Sequence, residues 1–174
     1  MFSKTDIENY FTHFKYEQFI LISIGIIAFV VAVILLGFFK TIWNKGFALP
    51  LAVYGFITAG AGISNYLKIR PLQIRSTYNY DLHPELLKTK ELTRLISLQQ
   101  NYQLLIYVNS AILIAAILIY LYLKNKAANQ YYMGVAASLL LVSLLSVVTY
   151  IILKQTALPY INGIEQFTKN IIVK

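Results

Sequence analysis

The chain has 174 residues, of which 58% are hydrophobic and 13% charged, and it carries a formal net charge of +8. It contains no cysteine, which excludes disulfides, thiol catalysis and cysteine metal sites. Because no arginine-rich run or recognition motif accompanies it, the positive charge does not indicate nucleic-acid binding and is instead typical of loops that face anionic lipid on the cytoplasmic side of a membrane.

Four apolar stretches without a charged residue dominate the sequence. They run over residues 18–39, 46–67, 104–123 and 131–153. Each has about 20 residues, the length at which a helix crosses the hydrocarbon of a bilayer. We therefore expect an all-α fold, an integral membrane four-helix bundle with amphipathic surface helices at both ends of the chain. The segments between and beyond the spans are too short for a second domain, so residues 1–174 are predicted to form a single transmembrane domain.

The first predicted element is an interfacial helix over residues 3–16. Ser3 and Asp6 form a weak variant of a capping box at its start. Apolar side chains then recur on one face of the helix, at Ile7, Tyr10, Phe11 and Phe14. An apolar stripe opposite charged residues predicts a helix that lies on the membrane surface before the chain turns into the first span.

Small residues line one face of the second span. They are Ala52, Gly55, Ala59 and Gly62. The third span offers a similar pair, Ala111 and Ala115. Small residues four apart let helix backbones approach closely in lipid, so these faces are predicted helix-packing interfaces, within the bundle or with another subunit. Asn109 in the third span is predicted to face protein with Asn65 or a serine as partner, because a lone amide is costly in hydrocarbon.

Residues 68–103 form the predicted cytoplasmic loop and helix. The first part, around Pro71, is predicted to be irregular, and Pro84 suits the first position of a helix. No proline or glycine follows until after Leu123, so the third span is expected to be the far half of one long helix that protrudes into the cytoplasm. A 3-4 spacing on the protruding half predicts a cytoplasmic seam, which packs on a terminal helix of this chain or on another subunit. The seam consists of Leu92, Leu95, Gln99 and Tyr102.

The end of the chain and the charge distribution predict the topology. Pro159 is expected to break the fourth helix beyond its span, and residues 160–173 are predicted to form a tail helix on the surface. Eleven of the fifteen Lys and Arg residues lie in the N-terminus, middle loop and tail, which share one side of the membrane. The positive-inside rule therefore predicts that both termini are cytoplasmic. Frequent Lys, Ile, Asn and Tyr are typical of a low-GC bacterial genome, hence of a bacterial inner membrane.

Motifs for catalysis or cofactor binding are absent from the sequence. Asp81, His83 and Glu85 alternate beside Pro84, but this pattern indicates a capped helix start and not a metal site. We predict no catalytic residue, cofactor or metal. The sequence favours a non-enzymatic membrane subunit that scaffolds or anchors a larger complex through helix–helix packing, with partner subunits or copies of itself. Two alternatives stay open: a homo-oligomeric pore or channel, and a small transporter of a neutral or lipidic substrate.

Overall fold

The computed structural model describes residues 2–124 and 129–172, with side chains up to residue 169. Within these ranges the chain is all-helical, without strands, and each helix is long and apolar enough to cross a membrane. This confirms the all-α class and four apolar helices at the predicted positions. The helices are α1 (Lys4–Phe38), α2 (Ile42–Leu82), α3 (Pro84–Leu123) and α4 (Gln130–Ile172). Residue 173, the predicted end of the tail helix, lies outside the described part.

The helices continue past the predicted spans without a break, which corrects three predictions. α1 runs straight from the predicted interfacial helix into the first span, with no turn between them. α2 continues through Pro71, where an irregular segment was predicted, and α4 continues through Pro159 instead of ending there. A proline inside a helix removes one hydrogen bond and bends the helix. Packing against neighbouring helices supplies most of a helix's stability and offsets this loss.

Local signals set the starts of the first three helices. At the start of α1, the backbone N–H and the hydroxyl of Ser3 donate to the Asp6 carboxylate at 2.8 and 2.9 Å. At the start of α2, the Thr41 hydroxyl accepts from the backbone N–H of Asn44 at 3.3 Å. α3 opens with the turn Pro84–Leu86 and then passes through a π-helical segment, Leu87–Leu92, before it continues as an α-helix. Such π segments are rare and widen a helix locally.

The four helices pack in the spatial order α1, α2, α4, α3. α2 packs against α1 on one side and α4 on the other, and α4 packs against α3. α2 and α3 follow one another in sequence, yet their contacts are concentrated near the turn at His83 that joins them. Away from this turn the two helices diverge, which leaves a cleft between them.

The bundle has two halves of different composition. The apolar half consists of the four charge-free stretches. The terminal half consists of residues 4–17, 68–103 and 154–172, and it carries the start of α1, the end of α4 and the turn at His83. At 1.5 Å per residue, the helices extend roughly 20–30 Å beyond the apolar half.

The terminal half has a buried core of its own, which all four helices contribute to. The stripe on α1 that was predicted to lie on lipid faces this core, and α3 does not protrude alone. An apolar stripe fits a lipid surface or a bundle interior equally well, and here it is buried in the bundle. The core contains Ile7, Tyr10, Phe11, Phe14, Ile69, Leu87, Leu92, Leu95, Ala157, Tyr160, Ile161 and Ile164.

Candidate functional site

The small face of α2 forms a close helix contact with α1 in the apolar half. Cβ atoms built on the glycines would lie against backbone atoms of the facing helix: 2.5 Å from Ala59 N for Gly25, and 2.6 Å from Phe29 N for Gly55. A Cβ atom on Gly62 would lie 2.8 Å from the Ile22 side chain of α1 and 3.2 Å from the Ile22 backbone nitrogen. The predicted small residues of α2 therefore pack against α1. Ala52 belongs to the same contact, beside the buried cluster of Ala28, Ala32, Ala48 and Leu51.

A second close contact joins α2 and α4 at the opposite end of the apolar half. A Cβ atom on Gly46 would meet the Tyr131 carbonyl, and one on Gly134 would meet the Trp43 carbonyl. Gly46 was not singled out as a packing residue from the sequence, because it lies at the very start of the span. Together the two contacts hold α2 between its neighbours, which makes it the central helix of the apolar half.

The predicted small residues of α3 are placed differently. Ala111 and Ala115 are exposed on the surface of the chain and take no part in its internal packing. Asn109 does not pair with Asn65 as predicted, since its side-chain amide donates to the Leu105 carbonyl of its own helix at 2.8 Å. Asn65 instead donates to the side-chain oxygen of the buried Gln18 at 3.2 Å. An intrahelical carbonyl one turn away satisfies the Asn109 amide without any partner helix.

The predicted seam on α3 lies inside the chain. Leu92 and Leu95 are buried in the core of the terminal half. Gln99 donates to the Lys154 backbone carbonyl at 3.5 Å, and the ring of Tyr102 stacks on that of Tyr150 with 6.0 Å between centroids. Of the two interpretations left open for this face, the structure therefore places it against helices of the same chain.

A buried polar cluster surrounds the end of the π segment. Glu91 is 5% exposed and accepts two hydrogen bonds from the Arg94 guanidinium, at 2.6 and 3.0 Å. The rings of Tyr10 and Tyr160 stack beside it, with centroids 4.0 Å apart and nearly parallel planes. Within the described residues neither tyrosine hydroxyl makes a hydrogen bond of normal geometry, although Arg94 lies beside Tyr10 and Ser76 beside Tyr160. We name Glu91, Arg94, Tyr10 and Tyr160 the polar cluster.

Sequence reasoning missed the polar cluster. A Glu and an Arg three residues apart on a helix usually form an exposed surface pair, so Glu91 and Arg94 gave no signal of burial. The burial arises because α1 and α4 both cover this part of α3. The cluster adds electrostatic specificity to the packing of the terminal half, since Glu91 is held by one cation in a fixed bidentate geometry.

High pH is expected to unfold the terminal half. Burial raises the pKa of Tyr10 to about 12 and also raises that of Tyr160. The folded chain therefore holds these protons more tightly than the unfolded chain, and the resulting stability is present below pH 10 and lost as the pH rises toward 12. We expect the phenolate absorbance of the core tyrosines in detergent to appear together with loss of helical circular dichroism. Tyr10→Phe and Tyr160→Phe should move this transition to higher pH, and an unchanged transition would contradict the assignment.

The alternating residues Asp81, His83 and Glu85 do not form one cluster in the structure. Within residues 2–124 and 129–172, no group of three or more His, Asp or Glu side chains is placed to hold a metal ion. Asp81 instead pairs with Lys4 at 2.8 Å, and Glu85 lies 3.4 Å from the His83 ring. Comparison with models of protein families, with curated proteins and with solved structures found no match.

Proposed function

We propose that this chain is a non-enzymatic integral membrane subunit that anchors a larger complex through helix–helix packing, with α3 as its docking helix. The observation that carries the proposal is that α3 buries less of its apolar stretch inside the chain than the other three helices do. In the most apolar 18-residue window of α3, 6% of the residues are buried, against 22–28% in the other three helices. A span that is so little used for internal packing has most of its surface available to another transmembrane helix.

One face of α3 is suited to such a contact. We name it the α3 outer stripe; it consists of Leu104, Val108, Ala111, Ala115 and Leu118, all exposed. Their spacing of three or four residues places them on one side of the helix. At 100° per residue this side lies more than about 90° from the side that carries Tyr102 and Ala116, which are buried in the bundle. Ala111 and Ala115 have short side chains at the centre of the stripe, so the backbone of a partner helix can approach closely.

The polar groups of the apolar half favour a scaffold over a pore. Ser23 donates to the Phe19 carbonyl at 3.0 Å, and Ser143 and Ser146 donate to carbonyls of their own helix at 2.5 and 2.8 Å. Hydroxyls that are satisfied inside their own helices do not require water in a lumen. The Ser138 hydroxyl has no hydrogen-bond partner among the described residues, but it is fully buried in the bundle and not exposed to a lumen. We place the partner in the same bilayer and both termini in the cytoplasm, in a bacterial inner membrane. The partner is a transmembrane helix of a different subunit.

The proposal is tested by native mass spectrometry on the tagged chain, gently extracted from its own membrane. The wild type should carry a different chain at a fixed ratio. The double variant Ala111→Phe/Ala115→Phe should lose that chain because the bulky rings keep the partner backbone away. Ile26→Phe is the matched control, since Ile26 on α1 is 51% exposed and lies at a similar depth in the apolar half.

Three outcomes would overturn the proposal. One is loss of the partner from the Ile26→Phe control to the same extent. Another is a partner that stays bound to the Ala111→Phe/Ala115→Phe variant. The third is a closed ring of this chain alone, which would favour the homo-oligomeric pore and direct the next experiment to liposome flux.

A further inference from the structure

A lateral cleft separates α2 from α3 where the apolar half meets the terminal half. It comprises two adjoining cavities of about 510 and 150 Å³, which share Asn65 in their walls. The smaller cavity reaches into the apolar half, and the larger lies at its edge. Ile57 and Leu67, which line the two cavities, are exposed on the surface of the bundle, so a lipid of a surrounding bilayer would reach the cleft from the side.

The inner cavity has the character of an acyl-chain site. Ile57 and Ala61 of α2 and Leu105 of α3 form its apolar wall, and Ile57 is 60% exposed toward the surrounding lipid. α4 also lines this cavity, with Ser146, Thr149, Tyr150 and Leu153, and α1 contributes Leu21. An extended hydrocarbon chain would bury this wall against apolar atoms, whereas the two helices leave it open.

The outer cavity has the character of a headgroup site. Lys68 lines it directly after Leu67, the last residue of the second apolar stretch, which is the depth of lipid phosphates. Among the described residues Lys68 has no ion-pair partner, and no acidic side chain lines either cavity. Arg94 lines the far side and is held by Glu91. The free positive charge of the cleft is therefore that of Lys68.

Pro71 adds a hydrogen-bond acceptor beside Lys68. A proline has no N–H, so the carbonyl of the residue four positions earlier, Leu67, lacks its usual helical donor. Pro71 and Leu67 both line the outer cavity, together with the Ser64 hydroxyl. A cation, a free carbonyl and a hydroxyl side by side complement a phosphate whose glycerol carries hydroxyl groups.

We propose that the cleft between α2 and α3 binds a membrane phospholipid with an anionic headgroup, phosphate at Lys68 and one acyl chain along Ile57, Ala61 and Leu105. Charge complementarity selects the anionic class, since the free cation has no acidic neighbour in the cleft. The proposal does not depend on a docking role for the α3 outer stripe, because the cleft lies on the opposite side of α3. The proposed lipid fills the cleft that the helices leave between α2 and α3.

The site is tested by titrating the full chain in detergent with lipid. Native mass spectrometry counts the lipid molecules bound to each chain. Phosphatidylglycerol should bind more tightly than phosphatidylcholine with the same acyl chains. Lys68→Gln should weaken phosphatidylglycerol binding about fivefold, the effect of one basic residue near a lipid surface, and should leave phosphatidylcholine unchanged. Ala61→Phe should weaken the binding of both lipids because the ring fills the acyl-chain cavity.

Two matched controls make the test specific. Arg70→Gln removes an exposed charge from α2, two residues from Lys68 and outside the cleft. Gly60→Phe adds a ring next to Ala61 at an open position of the same helix. If Arg70→Gln weakened phosphatidylglycerol binding as much as Lys68→Gln, the lipid would be held by diffuse surface charge. If Gly60→Phe weakened lipid binding as much as Ala61→Phe, the acyl chain would not lie in the inner cavity. Either result would overturn the proposal. Competition by inorganic phosphate at equal potency would also overturn it, because the ligand would then need no acyl chain.

Discussion

Gly55→Ala is expected to destabilise the bundle, while Gly60→Ala is expected to leave its stability unchanged or raise it. A Cβ atom on Gly55 would lie 2.6 Å from the Phe29 backbone nitrogen and 2.7 Å from the Gly25 carbonyl oxygen. Backbone atoms inside a helix cannot move aside as a side-chain end can, so α1 and α2 must separate. Overpacking of this kind costs roughly 1–3 kcal/mol, and the separation also weakens the neighbouring contact of Gly62.

Gly60 supplies the matched control on the same helix. A Cβ atom at Gly60 meets nothing within 4 Å, so Gly60→Ala adds only the helix preference of alanine over glycine, about 1 kcal/mol. Reversible unfolding in detergent, followed by circular dichroism, should therefore move the two variants in opposite directions. Equal midpoints for Gly55→Ala and Gly60→Ala would refute the close approach of α1 and α2.

The positions of the four apolar helices could be predicted because their signal is strong and local. A charge-free stretch of about 20 residues has few interpretations other than a membrane helix, and the small face of α2 followed from residue spacing alone. The facing glycine of α1, Gly25, was not identified. Small residues on one helix do not indicate which residue of another helix they contact, since that choice depends on the depth at which the two helices cross.

The terminal half was predicted less well, for a physical reason. The stripe from Ile7 to Phe14 has the periodicity of a surface helix and of a bundle helix, and only the positions of the other three helices decide between them. Pro71 and Pro159 were interpreted as breaks by a local rule that tertiary packing overrides. In each case the sequence pattern is present, but the interaction that decides the structure comes from residues distant in the chain.

Arg94→Met is expected to destabilise the terminal half by roughly 2–3 kcal/mol. It leaves the Glu91 carboxylate, 5% exposed, without its bidentate partner. Breaking a buried pair from one side costs about 3–5 kcal/mol. The expected cost of roughly 2–3 kcal/mol lies at or below the low end of this range. The Arg94 side chain is 28% exposed, so water screens part of the interaction. Unfolding in detergent measures the loss. Lys90→Met is the control, since Lys90 is exposed in the same segment and should have little effect.

The double variant Glu91→Gln/Arg94→Met separates the ion pair from the packing around it. If the cost of Arg94→Met comes from an unpaired buried charge, then neutralising Glu91 should restore more than half of the lost stability, because a neutral amide is far cheaper to bury than a carboxylate. If the cost comes instead from lost contacts of the Arg94 side chain with Phe14 and Leu98, which line the same cavity, the double variant will be at least as unstable as the single one. That result would contradict an electrostatic role for the polar cluster.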